Sequence, residues 1–173
     1  PSPRFGVFKR DGKVSPVLVR EFLVTDASER KYMGTFGVAT CIAVVLVGKK
    51  EGRVVKTGLA HVSAGCYLKA SWRFFKPVLE AAEEVEVYLV ASYGSEETAL
   101  RVLEALSLFA GAAGNPKMSY FVNLHGPNAL IVNVEKGELY SGFDLAYSEV
   151  PKDVLRKNLR DDSWILFHHT PLI

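Results

Sequence analysis

The most informative part of the sequence for the fold is CIAVVLVGKKEGRVVKTGLAHV, residues 41–62. Its first eight residues, CIAVVLVG, are apolar and rich in β-branched side chains, which is typical of a strand buried on both faces. The polar KKEG that follows is typical of a turn, and RVVKTGLAHV (53–62) has the composition of a second strand. The sequence therefore predicts an antiparallel hairpin with Cys41 at its entrance and His61 near its exit.

Outward from this hairpin, the chain contains more strand patterns than helix patterns. The clearest helix is predicted over 95–114, where Ser95 can cap the first turn and Gly111 and Gly114 follow the last. We expect an α+β fold with an antiparallel or mixed, sandwich-like sheet core, flanked by two or three helices, in a single domain spanning 1–173. Further strands are predicted over 16–25, 85–92, 118–123, 129–135, 138–143 and 163–169, further helices within 63–82 and over 150–159, and irregular or polar connections over 1–15 and 26–34.

The bulk composition excludes several classes of function. A formal net charge of +2, with no basic cluster longer than two residues, does not favour nucleic-acid binding. No apolar run approaches the roughly 18 residues of a membrane span. Two cysteines in 173 residues do not make a disulfide scaffold, so the thiols are expected to be reduced and the protein cytoplasmic.

The hairpin brings Cys41 and His61 together. In an antiparallel hairpin the residue numbers of any two facing residues add up to the same total. A turn centred near Glu51 gives a total of 102, which pairs Cys41 with His61. Directly opposite side chains point to the same side of a sheet, with Cβ atoms roughly 5 Å apart. A register centred one residue earlier would pair Cys41 with Leu59 or Ala60 instead, so the register stays open at this point.

A thiol beside an imidazole is the arrangement that nucleophilic catalysis requires. An ordinary cysteine thiol has a pKa of roughly 8.5, and a histidine in contact with it can accept the proton. The histidine needs an orienting group on its other ring nitrogen, for which the preceding loop offers Thr35 and Thr40. Backbone N–H groups of that loop, including that of Cys41, could form an oxyanion hole. This chemistry needs neither a metal nor an organic cofactor.

Plainer interpretations compete with this one. A cysteine in an apolar strand is usually a small core residue. The GxxG at 34–37 lacks the Lys-Ser/Thr of a phosphate-binding loop. Adjacent residues of a strand point to opposite faces, so His168 and His169 make a poor metal pair. Candidate ligands for a substrate α-ammonium are Asp26, Glu135 and Asp144.

TFGVATCIAVVL followed by GLAHVSAG resembles the cysteine deamidases that include the bacterial chemoreceptor glutamine deamidases (the CheD family) and the catalytic domains of some deamidating toxins. The motif of that family places a threonine six residues before the nucleophilic cysteine and a histidine some fifteen to twenty residues after it. Thr35 lies six residues before Cys41, and His61 lies twenty after it. The segments REFLVT, ATCIAVVL, GLAH, VEVYLVAS, NVEKGELYSGF and PKDVLRKNLR are also similar, in order over roughly 20–160, to protein N-terminal asparagine amidohydrolases.

The resemblance implies a CheD-like fold with Cys41 as nucleophile, His61 as base and Thr35 as the partner of the histidine. The implied reaction is deamidation of an N-terminal asparagine to aspartate in a protein or peptide substrate, with release of ammonia. The chain is much shorter than the eukaryotic amidohydrolases, which bears on substrate specificity more than on reaction type. Two alternatives stay open: deamidation of an internal glutamine, and a binding module of the same fold without turnover.

Overall fold

The computed structural model describes residues 3–63 and 72–143. Within these residues the fold is α+β, with two helices and two mixed sheets of five strands each. The helices are α1 (Trp72–Ala81) and α2 (Glu96–Ala112). The strands are β1 (Phe5–Gly6), β2 (Val14–Pro16), β3 (Phe22–Thr25), β4 (Tyr32–Thr35), β5 (Ile42–Lys50), β6 (Arg53–Val62), β7 (Glu84–Val90), β8 (Lys117–Asn123), β9 (Leu130–Asn133) and β10 (Leu139–Ser141).

The predicted hairpin forms the middle of one sheet, called here the central sheet, with strand order β3-β6-β5-β7-β8. β5 and β6 are antiparallel and meet at Glu51 and Gly52, which both have positive φ (53° and 75°). Positive φ at both central positions is typical of the type I′ turn, whose twist suits a two-residue hairpin. The turn therefore sits where the sequence predicted it.

The hairpin contains one irregularity that sets its register. Lys49 pairs with Val54, whereas Gly48 pairs with Lys56, so β6 carries one extra residue, Val55, at this point. Such a β-bulge shifts all of the pairing beyond it. From the bulge to the far end of the hairpin, the residue numbers of facing residues add up to 104, as they do for Ala43 and His61.

The second sheet, called here the outer sheet, has the strand order β1-β10-β9-β4-β2. It packs across one face of the central sheet, and both helices cover the opposite face. Side-chain alternation along each strand explains these layers, because alternate side chains of a strand buried on both faces pack into the two cores on either side of the sheet. The core between the sheets includes Met33, Ala43, Val45, Leu59, Leu130 and Val132, and the core beneath the helices includes Val44, Leu46, Phe74, Phe75, Val102 and Leu106.

Several predicted elements differ from the structure. The strand predicted over 16–25 is confirmed for residues 22–25, which form β3, and is wrong for the turn at 18–21 that separates β2 from β3. The polar connection predicted over 26–34 is confirmed for residues 26–31 and is wrong beyond them, since β4 begins at Tyr32 and is paired on both sides, with β2 and β9. Residues 1–15, expected to be irregular, contribute β1 and β2. The helix predicted over 150–159 and the strand over 163–169 lie outside the described residues.

Candidate active site

The predicted facing of Cys41 and His61 is wrong in its register. Because of the bulge, His61 faces Ala43, and the position of Cys41 is diagonal to it, one step before the start of β5. The residue numbers of facing residues add up to an even number in both the predicted register (102) and the observed one (104). Residues whose numbers are both odd therefore share a face in either register, so Cys41 still falls on the face of the sheet that His61 occupies. Diagonal neighbours lie roughly 7 Å apart, which places the thiol and the imidazole on one face without direct opposition.

Thr35 and His61 come from different sheets and meet between them. Thr35 is the last residue of β4 in the outer sheet, and His61 is the second-last residue of β6 in the central sheet. The hydroxyl of Thr35 lies 2.8 Å from His61 Nδ1 in a buried hydrogen bond. Of the two threonines that the sequence offered as the orienting group, the structure brings Thr35 to the ring. Thr40 is exposed.

The backbone of His61 is held as firmly as its ring. Its N–H donates to the carbonyl of Glu21 (3.0 Å), and its own carbonyl accepts from the N–H of Arg20 (2.8 Å). Arg20 has a φ of 65°, so the turn at 18–21 takes a left-handed backbone to reach this pairing. Hydrogen bonds on the backbone and at Nδ1 leave the ring little freedom to reorient.

Burial decides the protonation state of His61. The residue is 2% exposed, and loss of solvation lowers its pKa from 6.5 to about 4. The imidazole is therefore neutral near pH 7. Its Nε2 is buried and makes no hydrogen bond to any described residue. A neutral ring that donates from Nδ1–H to the Thr35 hydroxyl carries its lone pair on Nε2, which is the form that a general base needs.

The Nε2 atom accepts no hydrogen bond from the Cys41 thiol in this structure. Cys41 is half-buried in the bend just before β5, whereas His61 is almost fully buried. In proteins without bound substrate, catalytic hydrogen bonds are often long and tighten only in the complex. A direct thiol–imidazole contact stays a prediction.

The segment 36–41 that carries Cys41, called here the nucleophile loop, is held by hydrogen bonds to two neighbouring loops. The N–H of Val38 donates to Asn128 O (2.8 Å), and Ala39 O accepts from the N–H of Tyr93 (3.1 Å). The hydroxyl of Ser95 donates to Thr40 O at 2.6 Å. These bonds hold the loop from outside through its main chain.

The amide groups of the nucleophile loop are suited to anion binding. The N–H groups of Ala39 and Thr40 donate to no other residue in the described part of the chain. The carbonyls that share their peptide planes, those of Val38 and Ala39, accept from the N–H groups of Ser92 and Tyr93, so these planes are fixed. Fixed N–H donors beside a nucleophile are what an oxyanion hole requires.

Ser95 departs from its predicted role. It occupies the N-cap position of α2, but its side chain makes no capping hydrogen bond. The hydroxyl donates a hydrogen bond to Thr40 O instead. The acidic residues of the first turn, Glu96 and Glu97, interact favourably with the positive end of the helix dipole. The sequence correctly predicted that the helix starts at this residue. It did not predict the contact with the nucleophile loop, because the two contacting residues are 55 positions apart in the chain.

Two of the three carboxylates predicted as ligands for a substrate α-ammonium lie far from His61. Asp26 follows Thr25, which pairs with Thr57, four residues along β6 from His61. Glu135 follows β9 at the end opposite to Leu130, the residue that pairs with Thr35. Each residue of a strand adds about 3.3 Å, so both carboxylates are more than 10 Å away. Asp144 lies outside the described residues.

A separate cleft of about 470 Å³ lies between the N-terminal segment and the outer sheet. In it, the hydroxyl of Tyr32 donates to the carboxylate of Asp11, and burial together with this carboxylate raises the pKa of Tyr32. The cleft has no nucleophilic thiol or imidazole, and its charges balance, so it indicates no single class of ligand. Its lining residues include Lys9, Asp11, Lys31, Glu135, Lys136 and Glu138.

Other kinds of site were also considered. Within residues 3–63 and 72–143 no three His, Cys, Asp or Glu side chains are grouped as metal ligands would be. His168 and His169, weighed above as a metal pair, lie outside those ranges. Neither α1 nor α2 has the length and apolar character needed to cross a membrane.

Comparison with known proteins does not place the chain in a family. No protein-family model matches the sequence, and no curated protein matches it significantly. The functional conclusion therefore depends on the geometry at Thr35, Cys41 and His61.

Proposed function

We propose that this protein is a cysteine-dependent hydrolase of side-chain carboxamides that converts N-terminal asparagine to aspartate, built on a CheD-like deamidase fold. The observation that carries the proposal is the buried 2.8 Å hydrogen bond between Thr35 and His61 Nδ1. It orients a neutral imidazole whose Nε2 makes no hydrogen bond to a described residue, on the face of the sheet that Cys41 shares. A buried histidine that only fills the core is expected to have hydrogen-bond partners on both ring nitrogens, whereas a general base is oriented at one nitrogen and keeps the other open for a proton.

The reaction follows from these groups. His61 Nε2 accepts the thiol proton as Cys41 Sγ attacks the carboxamide carbon, and the N–H groups of the nucleophile loop stabilise the oxyanion. The imidazolium then gives its proton to the leaving nitrogen, so ammonia departs and a thioester remains. A water molecule, deprotonated by His61, hydrolyses the thioester to the carboxylate and restores the thiol. One amide and one water become one acid and one ammonia.

The environment of the base suits this cycle. Because burial lowers the pKa of His61 to about 4, the imidazole is neutral across the neutral pH range and is a weaker base than free imidazole, so the thiol proton moves to Nε2 as Sγ attacks and not before. The imidazolium that forms is correspondingly acidic, which favours rapid transfer of the proton to the leaving nitrogen. A thiol nucleophile must stay reduced, so we place the protein in a reducing compartment such as the cytoplasm.

A panel of four peptides tests the proposal: one beginning with free Asn, one with free Gln, one with acetylated Asn, and one with an internal Gln. We expect ammonia release and the mass change from amide to acid on the first peptide, and no turnover by the Cys41→Ala protein purified in parallel. Turnover on the internal Gln would favour the glutamine deamidase alternative. Absence of turnover on all four peptides, with the protein folded, would overturn the proposal.

A further inference from the structure

The connection between β2 and β3 passes directly beside the Thr35–His61 pair. At one end of this connection the N–H of Val17 donates to Gly34 O (2.7 Å), next to Thr35 in β4. At the other end His61 N–H donates to Glu21 O (3.0 Å). The segment 17–21 therefore runs from the backbone beside Thr35 to the backbone of His61.

Glu21 is the carboxylate that this segment brings to the site. It precedes Phe22, which pairs with Ala60, so the next step of the register sets Glu21 opposite His61. Leu23, two residues later, faces the core between the sheets. Extending the alternation of β3 by one residue beyond its start assigns Glu21 to the same face. Glu21 is half-buried, and its carbonyl accepts the N–H of His61.

We propose that the carboxylate of Glu21 binds the α-ammonium group of an N-terminal asparagine, and so makes this site specific for chain ends. The inference rests on the proposed function, because it names the group that would read the free amino terminus. Deamidation needs only the carboxamide, so restriction to chain ends requires a further contact, and a carboxylate is the natural partner of an ammonium group.

The dimensions of the sheet fit this substrate. β3 and β5 lie on either side of β6, so their backbones are roughly 10 Å apart. The α-nitrogen of asparagine is three bonds from the side-chain carboxamide carbon, a distance of at most about 4 Å. Glu21 and Cys41 therefore flank His61, one on the β3 side and one on the β5 side. A substrate that spans them puts its carboxamide at the thiol and its ammonium at the carboxylate.

Glu21 also makes contacts within the chain, which the test must separate from binding, and one of them lies in its own turn. Its Oε2 accepts a hydrogen bond from the N–H of Leu18 (3.2 Å), across the turn whose main-chain bond joins Glu21 N–H to Leu18 O. Glu21→Gln keeps a carbonyl oxygen in this place and removes only the negative charge. The variant therefore retains an acceptor for the turn while it loses the partner of an ammonium group.

The experiment is a cycle of two proteins and two peptides. Wild type and Glu21→Gln are compared on a peptide beginning with free Asn and on the same peptide without its α-amino group. We expect Glu21→Gln to lose about 10- to 100-fold in kcat/KM on the free-Asn peptide, the effect of one charge-assisted hydrogen bond, and to leave the deamino peptide unchanged. Glu135→Gln, which changes an exposed turn carboxylate, should match wild type on both peptides.

A binding measurement gives a second readout. In the Cys41→Ala background, calorimetric titration with the free-Asn peptide should show a similar 10- to 100-fold loss of affinity when Glu21→Gln is added. An equal loss on both peptides would assign Glu21 to the turn alone and overturn the inference. Equal wild-type activity on the free-Asn and deamino peptides would also overturn it while the hydrolase reaction stands. Inactivity of the wild type on every carboxamide would overturn the proposed function as well.

Discussion

The two halves of the candidate site are held in different ways. His61 and Thr35 are almost fully buried, lie in strands of different sheets, and are joined by a side-chain hydrogen bond within the core. Cys41 is half-buried in a loop, and main-chain hydrogen bonds from two other loops hold that loop from outside. His61, the proposed base, is thus part of the packed core, whereas Cys41, the proposed nucleophile, lies in a half-buried loop.

We therefore expect substitutions in the two halves to have different effects on turnover and on stability. Changes at the base should alter both turnover and the stability of the fold, since a buried polar group is part of the core. Changes at the nucleophile and its loop should alter turnover with little effect on stability. Measurement of turnover and stability on the same variants tests whether the two halves differ in this way.

Cys41→Ala should have the largest effect on turnover. Loss of the nucleophile is expected to reduce ammonia release by about 10⁴-fold or more, while the free energy of unfolding changes by less than about 1 kcal/mol. Ammonia assay and thermal melting measure the two effects. Cys66→Ala, at the other cysteine of the chain, is the control and should keep activity. Retention of activity in Cys41→Ala would remove the cysteine from the mechanism.

His61→Gln should affect both properties. Turnover should fall by about 10³-fold, the contribution of a general acid–base group. Because the pKa of His61 is lowered from 6.5 to about 4, the unfolded state binds more protons between these values, and the native state loses stability as the pH falls through this window. The loss can reach about 3 kcal/mol in wild type and should be absent from His61→Gln.

Urea unfolding at a series of pH values between 4 and 7 measures this effect. Parallel stability curves for wild type and His61→Gln would contradict the buried neutral imidazole. His125→Gln is the matched control, because His125 is exposed and its removal should leave the slope of the wild-type curve in place.

Thr35→Val should have an intermediate effect. Valine has nearly the shape of threonine but leaves Nδ1 of His61 without its partner, which costs about 1–3 kcal/mol and corresponds to roughly 10- to 100-fold in kcat. Thr35→Ser keeps the hydroxyl and should recover most of the activity. Steady-state kinetics across pH provide the measurement. Equal activity of the valine and serine variants would show that the hydroxyl does not orient the base.

Ser95→Ala should have the smallest effect, confined to turnover and local order. It removes the hydrogen bond to Thr40 O, worth about 0.5–1.5 kcal/mol, so kcat should fall about three- to tenfold. Helix α2 should persist in circular dichroism, since Ser95 makes no side-chain cap. Ser107→Ala, an exposed serine in α2, is the control. An unchanged kcat in Ser95→Ala would mean that the nucleophile loop does not need this contact.

The sequence predicted the parts of the fold that depend on local pattern. The β5–β6 hairpin has a continuous apolar run, a polar turn and a second β-rich run, and all three lie where expected. Helix α2 has charged residues in its first turn and glycine after its end, and its predicted range agrees closely with Glu96–Ala112. Local signals of this kind do not depend on distant residues.

The elements that the sequence missed depend on distant partners. β4 has no clear strand pattern, and its position is set by pairing with β2 on one side and β9 on the other. The turn at 18–21 contains no glycine or proline, and Arg20 takes a left-handed backbone that no local signal announces. The pairing of Thr35 with His61 was anticipated from the resemblance, and only the structure places the two side chains in contact.

The bulge at Val55 has a consequence for how this chain can change over time. If β6 kept its length but lost this bulge, the residue numbers of facing residues would add up to 103, His61 would face Ile42, and Cys41 would lie on the opposite face of the central sheet. Removal of Val55 itself would leave His61 opposite Ala43, because the bulge takes up that residue alone. Insertions and deletions are usually tolerated near exposed turns, but one extra residue in β5 between Cys41 and Gly48 would turn the thiol and the imidazole to opposite faces without changing either side chain. We therefore expect length changes in that part of β5 to come in pairs.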